Sequence, residues 1–316
     1  MNSQSNKISI LIPVYNRDGL IEETVRSALN QTYNNIEIII VDNKSIDSTW
    51  NILQKLALED KRIKIFQNEV NIGPVRNWKR CISEARGEYG KFLWSDDLID
   101  PEFLTNTVHF LKNKEVGFVF TGIEVFMDSI NNKNEYFFMG STGVYDIQKY
   151  INGVLFEGNF PVSPGCALFR IEDLEENLLI DIPNKIESDF SMHAIGNDLL
   201  IFLLTGTQYK KYAYVNKKLS FFRAHNNSIT VQSKEGKLPL HYNLAASYFV
   251  ENHKKELVSK MNTKIWLDIQ RYKKTAKLFG LDKVERYYLN NTNLRISFFF
   301  IMRKTYKKLI NILLKK

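Results

Sequence analysis

The chain has 316 residues, 44% hydrophobic and 25% charged, which is enough to bury one large core or a core plus a smaller module and excludes a disordered chain. Cys81 and Cys166 show neither metal spacing nor a disulfide framework, the N-terminus lacks a signal-peptide pattern, and no run reaches membrane-spanning length, which together imply a cytoplasmic protein. The net charge of +8 is uneven, with 19 Lys and Arg against 6 Asp and Glu in residues 231–316 and 24 against 29 before them, so an anionic partner for the tail is expected.

The first 125 residues alternate strand and helix patterns. Ile8–Ile12 is an apolar run of strand length, and Leu20, Ile21, Val25, Ala28 and Leu29 share one helical face. Ile36–Val41 is β-branched and nearly continuous, as a strand buried on both faces requires. Ser45 or Asp47 is placed to cap a helix that uses Trp50, Ile52, Leu53 and Leu56. Ile63–Phe66 is a third strand, Val75–Ala85 a third helix, and Lys91–Trp94 a fourth strand. This order implies a parallel sheet wrapped by helices. Residues 116–170 turn to shorter aromatic strands (Val116–Val125, Ala167–Phe169), followed by helix around Ser188–Leu204 and extended chain at Tyr212–Phe222. From Leu238 to Lys316 the pattern is helical and Lys-rich, after a linker-like stretch at 231–240.

Three loops follow three of these strands: Pro13-Val14-Tyr15-Asn16-Arg17, Asp42-Asn43-Lys44-Ser45, and Ser95-Asp96-Asp97. In a parallel sheet all three open onto the same edge, where ligands bind. Two adjacent carboxylates hold a hard divalent cation, and such a cation holds a diphosphate. Asp100 before Pro101 reads instead as an ordinary helix start.

Together with Asn71-Ile72-Gly73-Pro74-Val75-Arg76-Asn77, these loops resemble the family 2 glycosyltransferases, strongly over residues 7–125 and more weakly over 160–230. The resemblance implies a GT-A-type, Rossmann-like α/β fold with a parallel-majority sheet and flanking helices, followed by a helical basic extension. The catalytic domain would span 1–230 (1–125 for the nucleotide sugar, 126–230 for the acceptor) and the extension 231–316. The implied reaction is inverting transfer of a sugar from a nucleotide diphosphate to an acceptor hydroxyl, in assembly of a bacterial-type surface polysaccharide or glycoconjugate.

Pro13, Tyr15, Asn16, Arg17, Asp42, Asn43, Asn71, Gly73, Arg76, Ser95 and Asp96 form the expected donor-binding set. Tyr15 either stacks on the base or packs as a loop aromatic. Asp42 and Asn43 are placed for the base edge or ribose; family members that read uracil often carry Asp where this chain has Asn43, which leaves the base preference open. Arg76 either assists at the phosphates or is a solvated helix residue. Asp97 matches the last carboxylate of the family's DxD motif and is the expected ligand of Mg²⁺ or Mn²⁺, with Asp96 at the ribose or a metal-bound water and Ser95 at the motif's first position.

Gly196-Asn197-Asp198 resembles the segment that supplies the family's catalytic base, which makes Asp198 the candidate; Asp189 and Glu187 are rivals, and a plain helix cap is the alternative role. Arg223-Ala224-His225-Asn226-Asn227-Ser228 resembles the element that ends many family 2 cores. It makes His225 a second candidate metal ligand, unless it has only a loop role. Residues 294–316 are aromatic, aliphatic and basic without one acidic group, so they either contact an anionic membrane face or pack on the core. No nucleic-acid motif accompanies that charge. The partners implied are a nucleotide-diphosphate sugar and a glycan or lipid-linked acceptor. The alternative reading is a non-catalytic nucleotide-sugar or glycan-binding protein on the same fold.

Overall fold

The structure, a computed structural model, describes residues 6–127, 139–158, 160–224 and 235–302, and the backbone alone at 133–136. The chain divides into two compact units, Met1–Asp181 with Asp189–Val231, and Ile182–Ser188 with Gln232–Lys316.

The first unit opens with β1 (Ile8–Val14), α1 (Ile21–Leu29), β2 (Ile36–Asp42), α2 (Thr49–Glu59), β3 (Ile63–Gln67), α3 (Pro74–Glu84) and β4 (Tyr89–Phe92). All seven residues of β1 and all seven of β2 are buried. Their alternate side chains point to opposite faces, so a continuous apolar run is stable only when both faces are covered. Ile8, Ile10, Ile12, Ile38 and Ile40 join Val25, Ala28, Leu53 and Leu56 of α1 and α2 in one core cluster. α3 packs against β1 and β2 and contributes buried Val75, Cys81 and Ile82.

The four strands are parallel and lie in the order β3-β2-β1-β4. The register aligns Val14 with Asp42, Asp42 with Gln67, and Leu11 with Phe92. All four carboxyl ends therefore meet one edge. The order reverses between β1 and β4, which opens a crevice there.

The sheet continues through β9 (Ala167–Arg170), β6 (Val116–Met127), β10 (Lys211–Ala224) and β5 (Leu98–Ile99), with β7 (Lys133–Tyr136) on β6 and β8 (Gly143–Asp146) on β10. The short helices α4 (Phe103–Thr107), α5 (Ile147–Asn152) and α6 (Ile171–Asn177) lie between these strands in the chain. β6 and β10 are parallel, β9 runs antiparallel to both neighbours, and the parallel ladders hold most of the paired residues. This half has an aromatic core in which Phe118 meets Tyr150 at 4.9 Å and Phe202 at 5.0 Å between ring centroids, both edge-on.

Several boundaries differ from the sequence expectation for local reasons. β4 stops at Phe92 rather than Trp94, because the Asp97 N–H donates to the Trp94 carbonyl and closes a turn. Ser48, not Ser45 or Asp47, precedes α2; Ser45 bonds to Asp42 instead, while Asp47 accepts the Thr49 N–H. The helix expected over Ser188–Leu204 is two, α7 (Phe190–His193) and α8 (Asn197–Gln208), parted by left-handed Ala194 (φ 58°) and Gly196 (φ 114°).

The second unit contains α9 (Lys237–His253), α10 (Val258–Arg271) and α11 (Lys273–Leu278), packed through buried Leu240, Leu244, Phe249, Met261, Ile265, Ala276 and Tyr287. The helical pattern does not run unbroken toward the end of the chain. Gly280 turns it at φ 65°, and the Glu251 carboxylate collects the N–H groups of Leu289, Asn290 and Asn291 in an irregular stretch. Among the described residues no helix is long and apolar enough to cross a membrane.

At the opposite end of the sheet from the crevice, Glu37 of β2 is 2% exposed. It accepts bonds from Lys7, Ser9, Lys64 and the Arg86 N–H. Burial alone would raise its pKa, but these donors outweigh burial and hold the carboxyl down to about 2. A depressed acid stabilises the fold above its unfolded value and loses that contribution as pH falls through the folded one. Glu37→Gln should therefore cost about 2–3 kcal/mol at pH 7. Urea unfolding at several pH values should show the gap between the two proteins narrowing from about pH 4.5 downward.

Candidate active site

The crevice between β1 and β4 brings together the loop 13–17 and the turn 94–97. Arg17 extends across it, and its Nη2 lies 3.3 Å from Asp96 Oδ2, the two side chains being 27% and 18% exposed. Arg17 is itself held by its N–H to Thr49 Oγ1 and by Nη1 to the Asn16 carbonyl. Asn16 adopts φ 51° and ties this loop to the next: its N–H donates to Ser45 Oγ, and its Oδ1 accepts the Ile46 N–H. Pro13 and Val14 are the last residues of β1, and Tyr15 just beyond is 38% exposed. A ring half open at this edge is available to a flat partner.

Asp97 differs sharply from Asp96. It is 6% exposed, and its Oδ1 accepts the Arg223 N–H at 2.9 Å, so the end of β10 closes on the turn. Burial first, and then the negative charge of Asp96, push the Asp97 carboxyl well above the usual carboxylate range; the Arg223 N–H, Lys91 and the Arg223 guanidinium act the other way. Arg223 also donates from Nε to the Asp96 carbonyl and from Nη2 to Glu23. Thr24 Oγ1 donates to the Asp97 carbonyl. Ser95 is buried at 8%.

Behind the turn, the Trp94 Nε1 donates to Ser163 Oγ at 2.9 Å, and its ring stacks on Phe92 and leans on Trp78. Lys91, fully buried, reaches the Phe92 and Gly165 carbonyls, and burial brings its pKa down to about 7.

Asp42 and Asn43 end β2 but serve different neighbours. Asp42 is fully buried and accepts from Ser45 and from Gln67 Nε2 at 2.8 Å, so it shapes its own loop. Asn43 is 3% exposed, and its amide faces the loop 68–73 rather than the crevice. Asn71 Oδ1 accepts from both Asn43 Nδ2 and the Gly73 N–H. Gly73, at φ 82°, starts α3 beneath α7. Arg76 points to that same helix: Nη1 meets Ser191 Oγ at 2.5 Å, and Nη2 lies 3.6 Å from Asp181.

Asp198 sits in the first turn of α8, and its Oδ1 accepts the N–H groups of Gly196 and Leu199. Burial first pushes the Tyr150 hydroxyl well above its ordinary range, with the Asp198 carboxylate adding to it, and that hydroxyl donates to the Pro161 carbonyl. α8 packs on Pro164–Cys166, where the Gly165 carbonyl accepts from Lys91 of β4 and Gly165 lies against Trp94. Asp189 is an exposed cap of α7, bonded to Ser191 Oγ and the Met192 N–H, and the Ser191 bond leads in lowering its pKa. Glu187 is exposed at φ 53° in the segment belonging to the second unit. His225 lies outside the described residues.

Sequence pattern assigns no role to Arg223 or to the bracing residues Asn68 and Gln67, and assigns Ser45 only that of a helix cap. Arg223 stands two residues before His225 in the element that carried the resemblance, so its position was the available signal. The amide network has no such signal, because it depends on three loops meeting.

The parallel half-sheet with an acidic turn at its switch point is that of an α/β fold of the GT-A type. The fold resembles the crystal structure of S. aureus TarS 1–349 in complex with UDP-GlcNAc, with a TM-score of 0.63 and 16% identity over 85% of this chain and 74% of that one. The chain belongs to glycosyl transferase family 2, whose description matches residues 9–178. Over 123 residues it is 37% identical to the UDP-Glc:alpha-D-GlcNAc-diphosphoundecaprenol beta-1,3-glucosyltransferase WfaP of Escherichia coli, covering 39% of this chain and 48% of that protein. It is 36% identical over 115 residues to the putative teichuronic acid biosynthesis glycosyltransferase TuaG of Bacillus subtilis (strain 168), covering 36% and 46%. The matched region thus spans less than half of either relative.

The seat of α7 on Gly73 gives a direct test. A Cβ there would lie 2.6 Å from Met192 Sδ and 3.2 Å from the Ser191 carbonyl, and φ 82° strains any L side chain. Gly73→Ala should destabilise the protein by about 1–3 kcal/mol in chemical denaturation. Amide exchange at Met192 and His193, whose N–H groups bond back to Asp189, should also accelerate.

Proposed function

We propose that the protein is an inverting, metal-dependent glycosyltransferase that moves a sugar from a nucleotide diphosphate to an acceptor hydroxyl in bacterial surface-glycan assembly. The observation that carries this reading is the Asp96–Asp97 turn at the switch point, crossed by Arg17 and closed by Arg223. Membership of family 2 supplies the reaction class. Names of relatives that cite diphosphoundecaprenol or teichuronic acid support a lipid-linked or cell-surface acceptor.

The residues suit a divalent cation. Among the described residues no group of three or more His, Cys, Asp or Glu gathers as a complete cage. A cation of this kind needs only one or two carboxylates when phosphate oxygens complete its shell. The raised pKa of Asp97, caused by burial and by Asp96, is the mark of a carboxylate short of positive charge. Asp97 would hold the ion with His225 as a second ligand, and the bound ion would stabilise charge on the leaving diphosphate.

Arg17 orients Asp96 toward the ribose side, while Tyr15 offers its ring to the base. Asp198 takes the proton of the acceptor hydroxyl as the hydroxyl oxygen attacks the anomeric carbon in line with the departing diphosphate, which inverts that centre. Residues 1–230 would carry this chemistry and 231–316 an accessory unit. In that unit, Leu294, Ile296, Phe298, Phe299 and Met302 are 37–77% exposed, and the sequence beyond is basic, as a segment lying on the anionic inner face of a membrane would be.

The test is a panel of nucleotide sugars screened for cation-dependent thermal stabilisation and then for transfer. Because a proton competes at Asp97, stabilisation by Mg²⁺ or Mn²⁺ with donor should be weaker at pH 5 than at pH 8. Asp97→Ala should abolish both the cation effect and turnover. Asp198→Asn should retain donor affinity and lower kcat by about 10²-fold or more. Donor binding by wild type without any turnover would favour the non-catalytic reading. In vesicle cosedimentation, Phe298→Ser with Phe299→Ser should weaken binding to anionic but not to neutral vesicles, whereas equal binding by both proteins would remove the membrane role.

A further inference from the structure

We propose that Asn43 is a positioning residue that braces the 68–76 loop, and α7 upon it, and that recognition of the nucleotide base falls to other groups. The inference rests on the donor-site reading above but concerns a different property, the wiring between loops.

A neutral amide side chain has two donor and two acceptor sites, and all four of Asn43's are occupied within the protein. Its Nδ2 donates to Asn71 Oδ1 at 2.8 Å and to the Gly73 carbonyl at 3.3 Å. Its Oδ1 accepts from Asn68 Nδ2 at 2.8 Å and from the Ile72 N–H at 3.0 Å. The side chain is also 3% exposed, so a base edge would have to displace one of these bonds to reach it.

The partners extend the brace in both directions. Asn68 donates onward to Asn77 Oδ1 and accepts from Arg80, and Asn77 Nδ2 reaches the Val41 carbonyl of β2. On the other side, Asn71 and Gly73 set the positive-φ turn on which α7 rests, and Arg76 fastens Ser191, which bonds to Asp189. The end of β2 is thereby linked to α7 through side-chain amides and one glycine.

The same geometry explains why Asp is not equivalent to Asn at position 43. A carboxylate accepts only, so it would leave the Gly73 carbonyl without its donor and face Asn71 Oδ1 with like polarity. The brace needs the amide.

The test compares wild type, Asn43→Asp and Asn43→Ala for binding of UDP, GDP, CDP, ADP and dTDP by calorimetry. Both variants should lose affinity by about tenfold, in similar proportion for every nucleotide, leaving the ranking unchanged. A reordered ranking, such as uridine gaining over the others in Asn43→Asp, would overturn the proposal. Asn71→Ala removes a bracing partner without touching position 43, and keeps the question open to measurement if Asn43→Asp fails to fold. Its loss should be non-additive with that of Asn43→Ala, and additive losses would count against the brace.

Amide exchange at Ile72, Gly73 and Met192 should accelerate in Asn43→Ala, and unchanged exchange would also overturn the inference. Should wild type bind no nucleotide at all, the donor-site reading fails, while the exchange measurement still decides the brace.

Discussion

Two adjacent carboxylates in a buried turn repel one another, and the rest of this site is arranged around that fact. Arg17 reaches Asp96 from the end of β1, and Arg223 supplies an N–H to Asp97 and a guanidinium to the Asp96 carbonyl from the end of β10. Even so, Asp97 keeps a raised pKa, because burial and the neighbouring charge outweigh what Arg223 and Lys91 give. The turn is therefore short of positive charge as the protein folds. A carboxylate in that condition favours the uptake of positive charge, whether a proton or a cation.

The sheet explains why these groups meet. Arg17 and Asp96 are 79 positions apart in sequence, but β1 and β4 are parallel neighbours whose carboxyl ends emerge together. The strand order β3-β2-β1-β4 reverses between them, which is the switch point where crevices form in open α/β sheets. β10 then contributes from the far half by running parallel to β6 for ten paired residues and ending beside the turn. A site assembled this way draws on strands rather than long loops, and the rigidity of its ladders is passed to the side chains.

Much of this was legible in the sequence, and the physics says which parts. Ile8–Ile12 and Ile36–Val41 were readable because burial on both faces forces an unbroken apolar run. The acidic turn and its place at a strand end followed from that order. Other features depend on a partner remote in sequence. The strand end at Phe92 is set by a turn bond between Asp97 and Trp94, and the break between α7 and α8 by two left-handed residues, one of them the non-glycine Ala194. Hydropathy carries no trace of either. From sequence Arg76 reads as either a phosphate contact or a solvated residue, and in the fold it bonds Ser191, 115 positions away.

Asn43 shows most clearly what the position of a residue in the sequence leaves out. At the end of a central strand in a donor-binding loop, an amide reads as a ligand contact, because such groups commonly provide one. Whether it does depends on what else competes for its four hydrogen-bonding sites, and here two asparagines, a turn N–H and a glycine carbonyl occupy them. Once Asn68 and Asn71 are present, an amide at position 43 satisfies them without charge, whereas a carboxylate would leave donors and acceptors mismatched. The residue at 43 and its neighbours in the 68–73 loop therefore constrain each other. On the proposed reading, the identity of the base is decided by groups that remain facing the crevice, where Tyr15 is 38% exposed and Arg17 turns toward Asp96.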